Sequence, residues 1–283
     1  MGMLDDRVIA ITGAGSGLGR AYAMASAAAG ALLVLREPDG ASRDVTPWPI
    51  RARVGAVSTV VGDIVDPEIC AELVATALRR HGRLDGFVAN AGVLEPGLTP
   101  GRSTAALRRL VAVNVTGVMQ SVGAAIEAML QTGSGSIVTV VSGSMLGLPR
   151  LAHYGGTKGA VLGLTYGWAV ELEGTGVRIN AISPLADTNM TPLMGPTPGV
   201  ELPSPDRIAP AVVALLSPAT AHLHGQVVRF DGESLGLMAP PRLDATTTRA
   251  QWSADAVADA LEGALGDFVH PVGLGAGVPA TVV

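Results

Sequence analysis

Short β-rich apolar runs at 7–12, 31–36, 57–62, 85–90, 136–141, 177–182 and 226–230 alternate with longer Ala- and Leu-rich segments of helical periodicity. Neighbouring parallel strands need a crossover between them, and helical crossovers cover both faces of a sheet. The alternation therefore predicts an α/β fold: a doubly wound, seven-stranded, mostly parallel sheet with helices on both faces. Helices are expected at 17–29, 67–80, 103–131 with a break, 153–173 and 205–217. Asp66-Pro67-Glu68 and Ser204-Pro205-Asp206 are strong helix starts, each with a capping side chain, a first-turn proline and an acid near the positive end of the dipole.

Two stretches break the rhythm. Pro38, Gly40, Pro47 and Pro49 leave little room for a crossover helix over 38–56, so a loop or a remnant of one or two turns is expected there. Pro240-Pro241 opens a tail with a short helix expected at 253–265 and a Gly/Val/Pro-rich end. The expected division is one main domain over 1–239 and a C-terminal extension over 240–283.

Composition excludes several classes of function. The net charge is -5, only 15% of residues are charged, and no basic block is present, which argues against a nucleic-acid partner. Arg79-Arg80 and Arg108-Arg109 read as solvated helix faces. The single Cys70 cannot form an internal disulfide, and His222 and His224 lack an acidic or thiol neighbour, so no metal site is expected. Mean hydropathy is +0.41, but apolar runs such as 21–35 are broken by glycine and fall short of the roughly 20 residues of a span. The acidic start Met-Gly-Met-Leu-Asp-Asp lacks the basic region of a signal peptide. A cytoplasmic protein with no membrane partner is expected.

The first strand runs into Thr12-Gly13-Ala14-Gly15-Ser16-Gly17-Leu18-Gly19 and then an Ala-rich helix. Glycines at a strand-to-helix turn let backbone approach a pyrophosphate, which the helix N-terminus then meets with amide donors and a positive dipole. Glu37 follows about 20 residues later at the end of the second strand, placed to accept from the adenosine ribose hydroxyls. A carboxylate there repels a 2′-phosphate and favours NAD over NADP, although the Arg36 guanidinium beside it could swing toward such a phosphate. Asp63 ends the third strand where the adenine edge is expected, with Ile64 next to it. Asn90-Ala91-Gly92 ends the fourth. These positions suit a Rossmann-type sheet, which binds ligands beyond the carboxyl ends of its strands.

Tyr154 and Lys158 stand four apart on one helix face, one turn separated. Ser142 precedes them at the end of the fifth strand, and Asn114 lies on a helix upstream. With the glycine-rich turn, Asn90-Ala91-Gly92 and Asn180-Ala181-Ile182-Ser183-Pro184, these residues resemble, in order and spacing, the short-chain dehydrogenase/reductase family over roughly residues 5–235. Pro184 to Thr191 and Ser204 to Met238 are similar to its (3R)-hydroxyacyl-CoA dehydrogenase-like branch. Leu185 after the proline, Ala89 before Asn90-Ala91-Gly92 and the eroded 38–56 region depart from that pattern.

The resemblance implies that Tyr154 is the acid/base of an oxidoreductase that interconverts a secondary alcohol and a ketone by hydride transfer. Lys158 binds the nicotinamide ribose and lowers the tyrosine pKa, Ser142 orients the substrate oxygen, and Asn114 holds a proton-relay water. Gly13, Ser16, Gly17, Leu18, Gly19, Glu37, Asp63, Ile64, Asn90, Ala91, Gly92, Tyr154, Lys158, Pro184 and Thr188 fall at cofactor positions. Ser144, a rival to Ser142, is expected to line the substrate pocket. Leu185 and Met190, with Leu193, Met194 and Leu202, make an apolar lid, which suits a 3-hydroxyacyl thioester, a steroid or a similar small molecule. A homo-oligomer, tetramer or dimer, packed through the helices at 103–131 and 153–173 is likewise implied.

Magnitudes agree with the tyrosine assignment. Bringing a phenol from pKa 10 to about 7 takes roughly 4 kcal/mol, and a cation about 4 Å away supplies a comparable amount at an effective dielectric near 20, so Lys158, assisted by the positive nicotinamide ring of the oxidised cofactor, suffices. Of the 19 basic residues, 18 are arginines and one is Lys158. The one lysine stands where a compact ammonium serves better than a guanidinium.

Two rival readings remain. Gly232-Glu233-Ser234-Leu235-Gly236 fits a Gly-x-Ser-x-Gly nucleophile elbow, followed by several Asp residues and His270 in the order of a serine hydrolase triad. However, an elbow must feed a helix, and Leu237-Met238-Ala239-Pro240-Pro241 does not start one. The other is a catalytically silent, nucleotide-binding member of the same fold.

Overall fold

The computed structural model describes residues 2–38, 57–194, 201–269 and 272–273. The expected loop beyond Pro38, the end of the tail and His270 lie outside the described residues.

One sheet carries the fold: β1 (Val8–Thr12), β2 (Leu32–Glu37), β3 (Val57–Val61), β4 (Gly86–Ala89), β5 (Gly135–Val140), β6 (Val177–Pro184), β7 (Val227–Phe230) and β8 (Leu235–Met238), in the order β3-β2-β1-β4-β5-β6-β7-β8. Seven strands run parallel, and β8 pairs antiparallel with β7. The architecture is the expected Rossmann-type one with eight strands instead of seven. The eighth is added by a tight turn in which Asp231 Oδ1 accepts from the backbone of Glu233 (3.0 Å) and Ser234 (2.6 Å), with Gly232 at φ +87°. Leu235, Gly236 and Leu237 are all exposed, so β8 has no buried face to write an alternating pattern into the sequence.

The helices are α1 (Gly17–Ala28), α2 (Pro67–His81), α3 (Thr104–Val111), α4 (Gly117–Thr132), α5 (Ala152–Glu171), α6 (Thr191–Met194), α7 (Pro205–Leu216) and α8 (Ala254–Glu262). Asp66 caps α2 as expected, accepting from Glu68 N at 2.9 Å. Ser204 stands at the start of α7 without a side-chain capping bond. Strand alternation sends Ile9, Ile11 and Leu33 into a layer with Tyr22 of α1 and Ile208 and Val212 of α7. Val8, Ala10, Phe87, Ile137 and Ile179 go to the other face, with Leu73 of α2, Val122 of α4 and Val161 of α5.

The break expected within 103–131 is a π-turn, Ala112–Thr116, between α3 and α4. By length and composition Thr104–Thr132 could cross a membrane; its Val118, Val122, Ala125 and Met129 face lies in the core against the sheet.

Contacts divide the chain into Met1–Met238 and Ala239–Val283. In the second unit Ser253 caps α8, accepting from Ala256 N at 3.1 Å, and Arg249 stacks over the Trp252 ring at 5.2 Å.

Candidate active site

The strand order reverses at β1 and β4, so the connections leaving these strands part in opposite directions and open a crevice at their carboxyl ends. Thr12, the last residue of β1, ties the two strand ends together. Its Oγ1 accepts from the backbone of Asn90 and Ala91, both at 3.0 Å, and donates to Val88 O at 3.3 Å.

The glycine-rich turn leaves β1 with Gly13 at φ +66° and enters α1 with Gly17 at φ +51°, backbone that side chains resist. A Cβ on Gly19 would lie 2.0 Å from Gly13 O, so the turn closes on itself only with glycine there. Asn90 Nδ2 donates to Thr12 O (3.1 Å) and Gly13 O (3.0 Å), so its side chain braces the turn. Ser16 precedes α1 and is exposed, its hydroxyl not used to cap the helix. Leu18 packs on the core, and Thr188 faces Gly17 from the segment after β6, 3.6 Å from where a Cβ would stand. Pro184 pairs with Phe230, and Leu185 N donates to Phe230 O at 3.0 Å, fixing where that segment departs.

Glu37 is buried at the end of β2. Its carboxylate accepts from the Gly15 backbone N–H, while Oε1 has no hydrogen-bond partner among the described residues. Burial pushes this carboxyl up to about 7, against the opposing pull of Arg36 and the Gly15 N–H. Arg36 does not swing toward the ribose side: its side chain is buried, donates to Gly62 O and lies 3.9 Å from Asp63. Burial lowers its pKa while Asp63 and Glu37 raise it.

Asp63 is held from three sides, by Arg109 (2.7 Å), Val65 N (3.2 Å) and Arg36. Burial raises its pKa, but the Arg109 and Val65 hydrogen bonds and the two guanidinium charges outweigh that and keep it below the usual carboxylate range. Arg109 is exposed, as the sequence suggests, and also ties α3 to the adenine end of the crevice. Ile64 and Ala91 are buried with Cys70 and Val113 behind it.

The expected catalytic residues converge beyond β4 and β5. Asn114 sits within the π-turn, fully buried, and exchanges two bonds with the Val93 backbone (2.8 and 2.9 Å) while donating to Thr157 Oγ1 at 3.1 Å. Such turns shift one residue out of the α-helical register, which often serves a functional site. Thr157, not singled out in the sequence although it lies inside Tyr154–Lys158, donates in turn to Tyr154 O at 2.7 Å. Lys158 is 3% exposed; its Nζ donates to Val140 O at 2.7 Å and lies 5.8 Å from the Tyr154 ring centre. A Cβ on Gly92 would stand 3.4 Å from Asn114 Oδ1 and 3.7 Å from Lys158 Nζ, so this backbone borders both groups.

Ser142 hydrogen-bonds Tyr154. Its Oγ also accepts from Ser144 N at 3.2 Å and lies 3.0 Å from Ser144 Oγ. Ser144 is itself buried and bonded to Ser142. Gly155 was another silent position in the sequence: its missing Cβ would be 2.4 Å from Ser144 O, and glycine there lets α5 seat against Gly143–Leu146.

The surroundings of the pair act on both groups. Burial raises the Tyr154 phenol to about 12, only partly opposed by the Ser142 bond, and lowers Lys158 to about 8. A positive charge beside the ring acts against the burial of the phenol, and the Lys158 ammonium is placed to supply one.

Among the expected lid residues, Leu185 and Met190 are half-buried and Leu193 is exposed; the Met194 side chain lies outside the described residues. Ser234 is in the β7–β8 hairpin, with a strand after it and no helix, so it does not form a nucleophile elbow.

The comparisons with known proteins agree with this geometry. The short chain dehydrogenase pattern matches residues 7–197. 2-(S)-hydroxypropyl-CoM dehydrogenase 3 of Xanthobacter autotrophicus is 33% identical over 81% of this chain and 96% of its own length. A protein of the same organism, named inactive 2-(S)-hydroxypropyl-CoM dehydrogenase 2, is 35% identical over 74% of this chain and 97% of its own. The crystal structure of a short chain dehydrogenase from Mycobacterium avium matches with a TM-score of 0.87 at 26% identity, covering 98% of this chain and 100% of that one. By pattern, sequence and fold, the chain belongs to the short-chain dehydrogenase family of oxidoreductases.

Proposed function

We propose that the protein is an NAD(H)-dependent dehydrogenase or ketoreductase that interconverts a secondary alcohol and its ketone, with Tyr154 as the acid/base. The observation that carries this reading is the bonded pair Ser142–Tyr154 with the only lysine, buried, one helical turn away. NAD fits the crevice on three observations: the left-handed glycines of the turn, the α1 N-terminus, and the buried Oε1 of Glu37, which has no partner among the described residues. Gly13–Gly19 would hold the pyrophosphate, Glu37 the adenosine ribose, Asp63 and Ile64 the adenine, Lys158 the nicotinamide ribose and Thr188 the nicotinamide carboxamide.

When bound, the oxidised nicotinamide ring supplies a hydride acceptor and positive charge that assists Lys158. In the oxidative direction Tyr154 Oη takes the hydroxyl proton of the alcohol. Ser142 Oγ donates its one proton to Tyr154 while the phenolate is charged, and turns it to the substrate oxygen, which it orients, once Tyr154 has taken the hydroxyl proton. Lys158 favours the phenolate, and the π-turn at Asn114 supports the path by which the proton leaves. Leu185 and Met190 favour a substrate with an apolar body, a 3-hydroxyacyl thioester or a steroid among them.

The test is a screen of secondary alcohols and 3-hydroxyacyl-CoA thioesters with NAD, read as absorbance of the reduced ring. Tyr154→Phe is expected to abolish turnover and leave NADH binding intact; undiminished turnover would remove Tyr154 from the chemistry. Calorimetry should show NADH binding tighter than NADPH, and the reverse order would overturn the role given to Glu37. A second reading, a silent nucleotide-binding protein, is favoured by the relative named inactive; NADH binding without turnover across the whole screen would support it.

A further inference from the structure

Ser144 is left without a task by the chemistry above, yet it is 3% exposed and makes two contacts to one atom. Its backbone N–H donates to Ser142 Oγ at 3.2 Å, and its own Oγ lies 3.0 Å from that oxygen. A serine hydroxyl has one proton and two lone pairs. Two acceptances from Ser144 fill the lone pairs of Ser142 and leave its proton to the third neighbour, Tyr154.

The direction of these bonds follows from the phenolate state. An ionised Tyr154 brings no proton to its bond with Ser142, so Ser142 must donate there. Were Ser142 instead to donate to Ser144, the phenolate would lose this donor. The favourable order is Ser144 to Ser142 to Tyr154, each hydroxyl polarising the next. Packing holds Ser144 in place: it lies in the turn Gly143–Leu146, and α5 approaches its carbonyl oxygen closely at Gly155.

We infer that Ser144 is a positioning residue that sets the direction of this hydrogen-bond chain and keeps the Ser142 proton aimed at the reacting oxygens. The inference rests on Tyr154 being the acid/base. It gives Ser144 a role that acts only through Ser142, with no contact to substrate required.

Ser144→Ala removes the hydroxyl and keeps the backbone N–H. The expected result is a threefold to tenfold loss in kcat, about the worth of one hydrogen bond. KM should change far less, and the rising limb of the oxidation pH profile should move up by roughly half a pH unit. A second readout needs no substrate: with only three tyrosines in the chain, carbon-13 labelling at the phenol Cζ gives a signal for Tyr154 that Tyr154→Phe identifies. Ser144→Ala should move that signal and leave those of Tyr22 and Tyr166 in place. Ser144→Cys, a weaker donor of similar size, should give smaller changes in the same direction and serves if the alanine variant does not fold. An unmoved Tyr154 signal in a folded variant, Ala or Cys, overturns the inference. Should the wild type turn over no alcohol at all, the functional reading fails, while the Tyr154 signal still decides the role of Ser144.

Discussion

Gly155→Ala adds one methyl group where α5 meets the turn after β5. The new Cβ would stand 2.4 Å from Ser144 O and 3.0 Å from the carbonyl carbon, where ordinary contact begins near 3.4 Å. Both neighbours are backbone, so the helix start must retreat by about 1 Å, and a misplacement of that size at a reacting group costs on the order of 100-fold in rate. Tyr154, adjacent in sequence, would move with it and stretch its bond to Ser142. Stability should respond far less. Overpacking costs about 1–3 kcal/mol, whereas alanine in a helix gains about 1 kcal/mol over glycine. The net loss of up to about 2 kcal/mol lowers Tm by no more than about 8 °C in a domain of this size. Gly156, the next residue, has nothing within 4 Å of its missing Cβ, so Gly156→Ala serves as the control and should keep its activity. The assays are kcat on an alcohol that the screen identifies and thermal melting by circular dichroism. Wild-type kcat in Gly155→Ala would refute the argument that the close approach at Ser144 sets the catalytic geometry.

Two further outcomes follow from the site. The Glu37 carboxyl rises from 4.5 to about 7 on folding, so its contribution to stability is fully present below pH 4.5 and lost as pH rises through 7. Glu37→Gln should accordingly melt higher than the wild type at pH 8, by about 1 kcal/mol after allowance for solvent screening, with the advantage vanishing toward pH 4.5 and NADH binding weakened; an equal advantage at both pH values would contradict the assignment. Asn114→Ala leaves the N–H and C=O of Val93 without their partner and should destabilise the fold by about 2–4 kcal/mol, as read by urea denaturation; a change below about 0.5 kcal/mol would mean that water replaces both bonds.

Much of this was legible in the sequence because the signals were local or periodic. Seven strands and the major helices announce themselves through alternation and capping, and Tyr154, Lys158 and Ser142 through spacing. What stayed hidden depends on distant partners or on polarity. Arg109 is exposed as read, but its partner Asp63 is 46 positions away and so went unseen. Arg36 looked free to meet a phosphate, yet the neighbouring strand supplies Gly62 O to hold it. The strand β8 was masked by its exposed leucines and by the resemblance of its turn to a nucleophile elbow. Ser144 and Gly155 were opaque for a simpler reason: sequence records which groups are present but neither the atom a hydroxyl faces nor the room that a hydrogen occupies.

The predominance of arginine has a practical consequence for protein chemistry. Guanidinium groups resist acylation at neutral pH, so amine-directed reagents find no lysine on the surface of this molecule. Apart from the chain terminus, the one amine is Lys158, whose pKa burial lowers to about 8. Because that amine is buried, its modification reports opening of the catalytic cleft, and a single acyl group per chain becomes a count of molecules whose cleft has opened.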